Sequence, residues 1–451
     1  MDFKGKKALV CGMARSGISA AELLKSLGAD VTLQDLKKRE DLGDISYIED
    51  KGIKIYAGKN PDDIAEEMDI IVLSPGIPTD LPFIVNAEKK GVSVISEIEL
   101  AFMFTPCPVI AITGTNGKTT TTTLTGEILK AYYKDTEVVG NIGIPYTEKV
   151  VNLNENSRVV AEISSFQLEK IKTFKPSVSA VLNITPDHLD RHKTVENYTA
   201  MKERIFENQT SDDFCVLNKE DEACVKMADK TKAKVMFFSS QNSLSEGIYI
   251  ENGNIILKWG NINEKVVHID ELQILGIHNY ENVMAATAIS LLAGVPLDVI
   301  RDVLRKFKGV EHRIEFVDTV DGVDYYNDSK GTNTDAAIRA VLAMKKPIVL
   351  IGGGYDKGSE YDDWVETFEG RVKHIVLIGV TANKIKDTCY KHNFKDVTIC
   401  ETFDEAMEVS KSIAKEGDCV LLSPACASWG MFKNYEQRGD MFKDKVKSFK
   451  K

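Results

Sequence analysis

Short apolar runs, each followed by a polar or glycine-rich loop and a helix-like segment, recur along the whole chain. Runs of this kind suit strands buried on both faces, with the helices as the crossovers that parallel pairing requires. The pattern predicts α/β domains with parallel sheets. The first unit reads Lys7-Ala8-Leu9-Val10-Cys11, then Gly12-Met13-Ala14-Arg15-Ser16-Gly17, a helical run from Ile18 to Gly28, and Val31-Thr32-Leu33 ending at Asp35. A second strand and loop follow in Ile70–Leu73 and Ser74-Pro75-Gly76-Ile77. Pro106 and Pro108 break the composition before a new strand, Val109–Ile112. Strands at 159–161 and 180–182, a β-rich stretch over 236–259 and a helix over 279–293 come next. A third α/β set starts near residue 310, with strands at 347–353, 374–379 and 418–423. At roughly 100–200 residues per domain, 451 residues allow two to four domains, and three is the central expectation.

Asp+Glu number 68 against 57 Lys+Arg, a net charge of −11. That balance argues against a nucleic-acid or anionic-membrane binder, since phosphate backbones demand basic surfaces. A local basic pocket can still hold a small anion. The eight cysteines form no CxxC, so neither a zinc knuckle nor a disulfide framework is expected. They read as reduced, buried thiols. No cleavable leader is expected from the residues before the first strand, and no run approaches the ~18 apolar residues of a membrane span. The expectation is a cytoplasmic protein whose Lys-rich tail is a solvated helix end or a frayed terminus.

The strongest local signal is Gly114-Thr115-Asn116-Gly117-Lys118-Thr119-Thr120, directly after the strand Val109–Thr113. Glycines let backbone wrap a phosphate, Lys118 neutralises it, and the Thr119 hydroxyl can ligate Mg²⁺. Only two residues separate its glycines where the Walker pattern has four, yet ATP or GTP binding is the reading. The N-terminal loop matches a dinucleotide fingerprint except for Ala14 in place of the middle glycine. NAD-type binding, another phosphate or nucleotide ligand and a purely structural turn all remain open there. Glu162 ends a buried strand, where either a Mg²⁺ ligand or a helix cap would sit. His188 and His192 lie four apart, but Leu189 stands where a zinc peptidase needs Glu. His188 reads as a ligand or phosphate contact, His192 as a surface residue. Arg313 suits a phosphoryl group arriving from a second domain. Loops carrying Lys330, Lys357 and Ser428 would suit a dicarboxylate.

Taken in order, these motifs resemble the Mur ligases, the ATP-dependent amide-bond enzymes of peptidoglycan precursor synthesis. The phosphate loop, Glu162-Ile163-Ser164-Ser165-Phe166-Gln167, Asn183-Ile184-Thr185-Pro186-Asp187-His188, His278-Asn279-x-x-Asn282 and Glu311-His312-Arg313 are similar to that family's motifs over essentially the whole chain. Asn327-Asp328-Ser329-Lys330-x-Thr332-Asn333 and Ser423–Ser428 look like the branch that adds D-glutamate.

The resemblance implies three domains: a Rossmann-like UDP-binding domain over 1–97, a central P-loop-type ATP-binding α/β domain over 98–309, and a Rossmann-like amino-acid domain over 310–451. Hinges near 97 and 309 would close them. It implies ligation of D-glutamate to UDP-N-acetylmuramoyl-L-alanine through an acyl phosphate, by a monomer with no nucleic-acid or membrane partner. Arg15, Ser16, Gly17, Asp35, Ser74 and Gly76 then fall on the UDP side, and Asn141, Ser164 and Gln167 on the muramoyl side. Gly114 through Thr120, with Asn279, Asn282, Arg313 and Asp328, match ATP contacts. Lys330, Thr332, Lys357, Ser428 and Tyr435 match the D-glutamate side. Lys118, Glu162, His188 and Lys202 would be catalytic. Thr119 with Glu162 would hold one Mg²⁺, and His188 with Lys202 a second. Lys202 stands where the family carries a CO₂-derived carbamate, although by its own pattern it is a helix-surface lysine. Gly331 and Gly430 depart from the family, which often has alanine and an acidic residue there. The competing readings are a sibling Mur ligase or folylpolyglutamate synthase, a non-catalytic nucleotide switch, and an NAD(P)-linked oxidoreductase.

Overall fold

The computed structural model describes residues 2–356 and 358–450. Its strands form three sheets. The first contains β1 (Lys7–Cys11), β2 (Asp30–Asp35), β3 (Lys54–Ala57), β4 (Ile70–Leu73) and β5 (Ser93–Ser96), all parallel, in the order β3-β2-β1-β4-β5. Strand order reverses between β1 and β4, and ligands of doubly wound sheets bind in the crevice at that point. The second contains β6 (Val109–Thr113), β7 (Thr136–Gly140), β8 (Arg158–Glu162), β9 (Val178–Val181), β10 (Phe214–Asn218), β11 (Lys234–Ser239), β12 (Gly247–Glu251), β13 (Asn254–Trp259) and β14 (Ile262–His268). Their order is β14-β13-β12-β11-β10-β9-β6-β8-β7. The third contains β15 (Glu315–Val320), β16 (Val323–Asn327), β17 (Ile348–Gly353), β18 (Val372–Ile378), β19 (Val397–Ile399) and β20 (Cys419–Leu422), in the order β15-β16-β20-β17-β18-β19.

The predicted parallel sheets carry antiparallel edges. β12, β13 and β14 pair antiparallel, as do β15 and β16. The cause is local: Asn252-Gly253 and Asp321-Gly322 have positive φ at both residues (49° and 74°, 52° and 74°), the geometry of a two-residue hairpin turn. A connection that short cannot make a crossover.

The chain divides into two compact units. One holds the residues through His268 together with Glu281–Leu304; the other holds Ile269–Tyr280 and the residues from Arg305 onward. The division falls inside the helix Ile277–Leu292.

In the first unit a six-residue helix, Glu97–Phe102, straps the first sheet to the second. Glu99 accepts hydrogen bonds from the backbone N–H groups of Lys172 (2.9 Å), Thr173 (2.7 Å) and Phe174 (3.0 Å) and from the Thr173 hydroxyl (2.6 Å). Glu97 accepts from the N–H and hydroxyl of Thr147, and burial raises its carboxyl pKa. Both carboxylates are buried. Replacing Glu99 by Ala takes a buried acceptor from three N–H groups, that of Phe174 buried and those of Lys172 and Thr173 partly so, so Glu99→Ala should cost about 3 kcal/mol. A lowered first transition in thermal unfolding of Glu99→Ala, with a smaller drop in Glu99→Gln, checks this.

Candidate functional site

β8, β6 and β9 are neighbours, and their carboxyl ends present Glu162, the phosphate loop and Asn183 side by side. The loop needs its glycines. Gly117 has φ +82°, and a Cβ there would collide with Asn282 Oδ1; Gly114 has φ +150° and touches Leu182. The loop is braced from β9: Asn116 N–H donates to Asn183 Oδ1 (2.8 Å), and Asn183 Nδ2 donates to Asn116 O (3.1 Å). Thr115 Oγ1 accepts from Thr185 N–H (3.0 Å) and lies 3.1 Å from the Tyr198 hydroxyl. Thr121 Oγ1 donates to Asn282 Oδ1 (3.2 Å), which brings the predicted Asn282 to the loop.

Lys118 Nζ folds back on the loop, donating to the carbonyls of Gly114 and Thr115 (both 2.9 Å). Lys202 Nζ donates to that same Gly114 carbonyl (2.8 Å) and lies 4.7 Å from the Tyr198 ring centroid. Lys202 is therefore no surface lysine: it is 1% exposed. It and Tyr198, one turn earlier, are the two buried residues of the helix Val195–Glu203, so no apolar stripe marks that face in the sequence. Burial, then the charge of Lys118, push the Lys202 pKa well below the usual lysine range; Asp187 and Glu162 act the other way. His192 is likewise buried rather than on the surface. Its Nε2 lies 3.0 Å from Ser165 Oγ, its ring stacks on Phe166, and burial lowers its pKa.

Glu162 is buried, and Asn141 Nδ2 donates to its Oε1 (2.8 Å). Its Oε2 has no hydrogen-bond partner among the described residues. A buried carboxylate oxygen without a donor, one strand from the Thr119 loop, fits a hard cation such as Mg²⁺. His188 has φ 52°, sits half-exposed at the start of the short helix Leu189–His192, and packs 4.9 Å from the Phe166 ring. Ser164 and Gln167 close a capping box on the helix Ser165–Leu168, so these side chains hold local backbone. Among the described residues, the histidine–carboxylate group that converges is Glu311, His312 and Asp440, and Lys443 Nζ already sits 3.1 Å from Asp440.

At the β1/β4 switch point, Gly17 packs so tightly that a Cβ would strike Gly12 O, and Ser74 Oγ donates to that carbonyl (3.3 Å). Asp35 accepts from the Met13 N–H (2.9 Å), tying the end of β2 to the same loop. Gly17, Asp35 and Ser74 thus gather at the Gly12-Met13 turn, with Arg15 and Ser16 in the first turn of the helix that follows it and Gly76 on the loop after Ser74. The Arg15 side chain points away from that turn, to the Gly143 carbonyl (2.7 Å) and Glu148 (3.3 Å).

In the second unit, Asp328 follows β16 and is buried, with Oδ2 accepting from Ser423 Oγ (2.7 Å) at the end of β20. Burial raises its carboxyl to about 6 against the pull of Arg313. Gly331 is explained here: a Cβ would strike Asp328 Oδ2. Gly430 has φ +88°, a conformation that strains an acidic residue. Lys330 Nζ lies 5.6 Å from the Tyr435 ring centroid, and Ser428 is buried on the β20 loop. Lys330, Thr332, Ser428 and Tyr435 all belong to this unit, as does Asn279. Lys357 lies outside the described residues. Arg438, wholly buried, is not among the residues the sequence points to; it donates to Ser329 Oγ (2.9 Å), Ser329 O (2.7 Å) and Cys426 O (3.3 Å). Neither are Asn183 as a brace and Asp187 as a neighbouring charge. Strand-end placement could have flagged Asn183; nothing local marks Arg438.

Titration of the half-buried His278 and the buried Asp328 should run in opposite senses. Burial, with Arg339 and Arg313, lowers His278 to about 4. The native state keeps it neutral, so its contribution is full above about 6.5 and falls as pH drops toward 4. Asp328 keeps its proton to higher pH when folded, so its contribution falls as pH rises from about 4 to 6. The two windows overlap with opposite sign. In urea unfolding between about pH 4 and 6.5, His278→Gln should therefore make stability fall more steeply with rising pH than in the unsubstituted chain, and Asp328→Asn should make it rise.

Three family models match the chain: Mur ligase MurD-like, N-terminal domain over residues 6–96, Mur ligase middle domain over 112–290, and Mur ligase, glutamate ligase domain over 312–426. The chain is 49% identical over 449 residues to the UDP-N-acetylmuramoylalanine--D-glutamate ligase of Thermoanaerobacter pseudethanolicus, covering 99% of both. It is 48% identical over 457 residues to the protein of that name from Clostridioides difficile, covering 100% of both. Its fold is similar to the solved UDP-N-acetylmuramate-alanine ligase MurC of Thermotoga maritima, with TM-score 0.61 at 20% identity over 98% of this chain and 99% of that one.

Proposed function

The chain belongs to the Mur ligase family and is an ATP-dependent amide-bond ligase, and from that premise we propose how its residues join D-glutamate to UDP-N-acetylmuramoyl-L-alanine. The observation that carries the reading is that Lys118 and Lys202 meet on the Gly114 carbonyl, with the Glu162 charge acting on Lys202. A free-standing nucleotide switch needs no second buried amine at its phosphate loop.

In the reaction, the alanine carboxylate attacks the γ-phosphorus of ATP and ADP leaves, forming an acyl phosphate. The amine of D-glutamate then attacks the acyl carbon, loses a proton and expels phosphate. A carboxylate is inert to amines; the acyl phosphate is not. Lys118 and the loop N–H groups stabilise the charge on the transferring phosphoryl. Asn282 and Asn183 hold the loop in the conformation that aims those donors. By the family's pattern Arg313 and Asp328 of the second unit match ATP contacts, and Lys330, Thr332, Lys357, Ser428 and Tyr435 match the residues that receive the two carboxylates of D-glutamate. Thr119 and Glu162 would hold one Mg²⁺, and His188 with a carbamylated Lys202 a second. These ions, when bound, supply positive charge against the phosphates. An amine can take up CO₂ only when neutral, and burial of Lys202, then the charge of Lys118, favours that state. Seven of the eight cysteines are buried and all are free, which suits a reducing, cytoplasmic setting.

In a coupled ADP-release assay, ADP and phosphate should appear only when UDP-N-acetylmuramoyl-L-alanine, D-glutamate and Mg·ATP are all present. Stoichiometric turnover with L-glutamate or another amino acid would reassign the acceptor. Lys118→Ala should lower kcat by about 10²–10³-fold. Lys202→Ala should lose most activity and regain part of it with added acetate, and only the unsubstituted protein should incorporate labelled bicarbonate. An unaffected Lys202→Ala removes that residue from the site.

A further inference from the structure

The proposed substrate is one long molecule held by two separate sets of loops, and Arg191 bonds to both. Its guanidinium pairs with Glu169 through two bonds, Nε to Oε1 (2.9 Å) and Nη2 to Oε2 (2.6 Å). The same group donates to two backbone carbonyls of the loop after β4, Ile77 O (2.9 Å) and Pro75 O (3.4 Å). Its flat face lies 4.6 Å from the Phe166 ring centroid. Phe166 in turn packs on the rings of His188 and His192. The Arg191 side chain is 16% exposed and that of Glu169 9%, so the pair is largely withdrawn from water.

The chemistry of the contacts says what Arg191 does. Glu169 neutralises the guanidinium and fixes its plane, so its charge is spent within the protein and is not offered to a phosphate. What remains is a rigid fork whose other N–H groups grip backbone, and backbone bonds fix where a loop lies. The gripped loop, Ser74-Pro75-Gly76-Ile77, belongs to the first sheet and borders the UDP crevice. The anchoring segment, Phe166 to Glu169, belongs to the second sheet, beside Ser164, Gln167 and His188. A lysine offers no such fork and no stacking plane.

We propose that Arg191 is a positioning residue that sets the spacing between the diphosphate-side loop and the muramoyl-side loops, so that the alanine carboxylate reaches the phosphate loop in register. This rests on the substrate reading above. Spacing of that kind matters only when one molecule occupies both sets of loops, whereas a role in folding the His188 segment would affect every substrate alike.

The test compares wild type, Arg191→Lys and Arg191→Met on UDP-N-acetylmuramoyl-L-alanine and on its truncated form, N-acetylmuramoyl-L-alanine 1-phosphate, which lacks the uridine end. With the full substrate, Arg191→Met should lose about tenfold or more in kcat/KM, while KM for ATP stays within about twofold. Arg191→Lys should recover part of the loss. With the truncated substrate, variants and wild type should agree within about twofold. Melting temperatures report on folding, and where Arg191→Met folds poorly, Arg191→Lys serves for the same substrate comparison. Equal losses on both substrates, or no loss on either, overturn the role of Arg191 alone. A wild type that does not turn over the full substrate overturns the substrate reading, and this proposal with it.

Discussion

A phosphate loop has no hydrogen-bond ladder of its own, so its shape has to be held by groups from neighbouring elements. In this protein the brace comes from side chains on neighbouring strands and helices. Asn183 bonds Asn116 at both its N–H and its carbonyl, Thr115 is tied to Thr185 and Tyr198, and Lys118 caps two loop carbonyls. This works because β6 lies between β8 and β9 in parallel, which sets three loops from distant parts of the chain at one edge. Glu162, the loop glycines and the segment from Asn183 to His188 owe their proximity to that pairing.

Charge in the site follows from the same geometry. The chain as a whole is acidic, at −11, yet two amines share one carbonyl at the loop. Whole-chain charge governs solubility and nonspecific attraction, while a few buried groups decide which anion a pocket holds. Burial drives the extremes. It lowers Lys202 and His278, raises Asp328, and lowers Arg438 to about 10. Lys202, Asp328 and Arg438 are hemmed in by loops that follow parallel strands, whereas His278 lies near the start of the helix Ile277–Leu292.

Much of this was legible beforehand where it depends on neighbours in the chain. β1, β6, β8, β17 and β20 are continuous apolar runs, and they form where the runs lie. The Asn-Gly and Asp-Gly turns of the two antiparallel edges were equally readable, but the prevailing parallel pattern concealed them. Lys202 and His192 read as surface residues because a helix face with a single lysine among polar residues carries no burial signal. Both are buried by contacts with segments far away in sequence: the phosphate loop for Lys202, Phe166 and Ser165 for His192.

The sequence by itself determined which segments become strands, which glycines open backbone to a phosphate, and which residue types stand at strand ends. Those are local matters of periodicity, φ and side-chain chemistry. Only the tertiary structure decided that Glu162 keeps one carboxylate oxygen without a donor, that Asp328 is buried against Ser423, and that Arg191 joins the loop after β4 to the segment before β9. Each depends on which strands lie side by side, and strand order is settled by the packing of whole sheets rather than by any residue's neighbours in the chain.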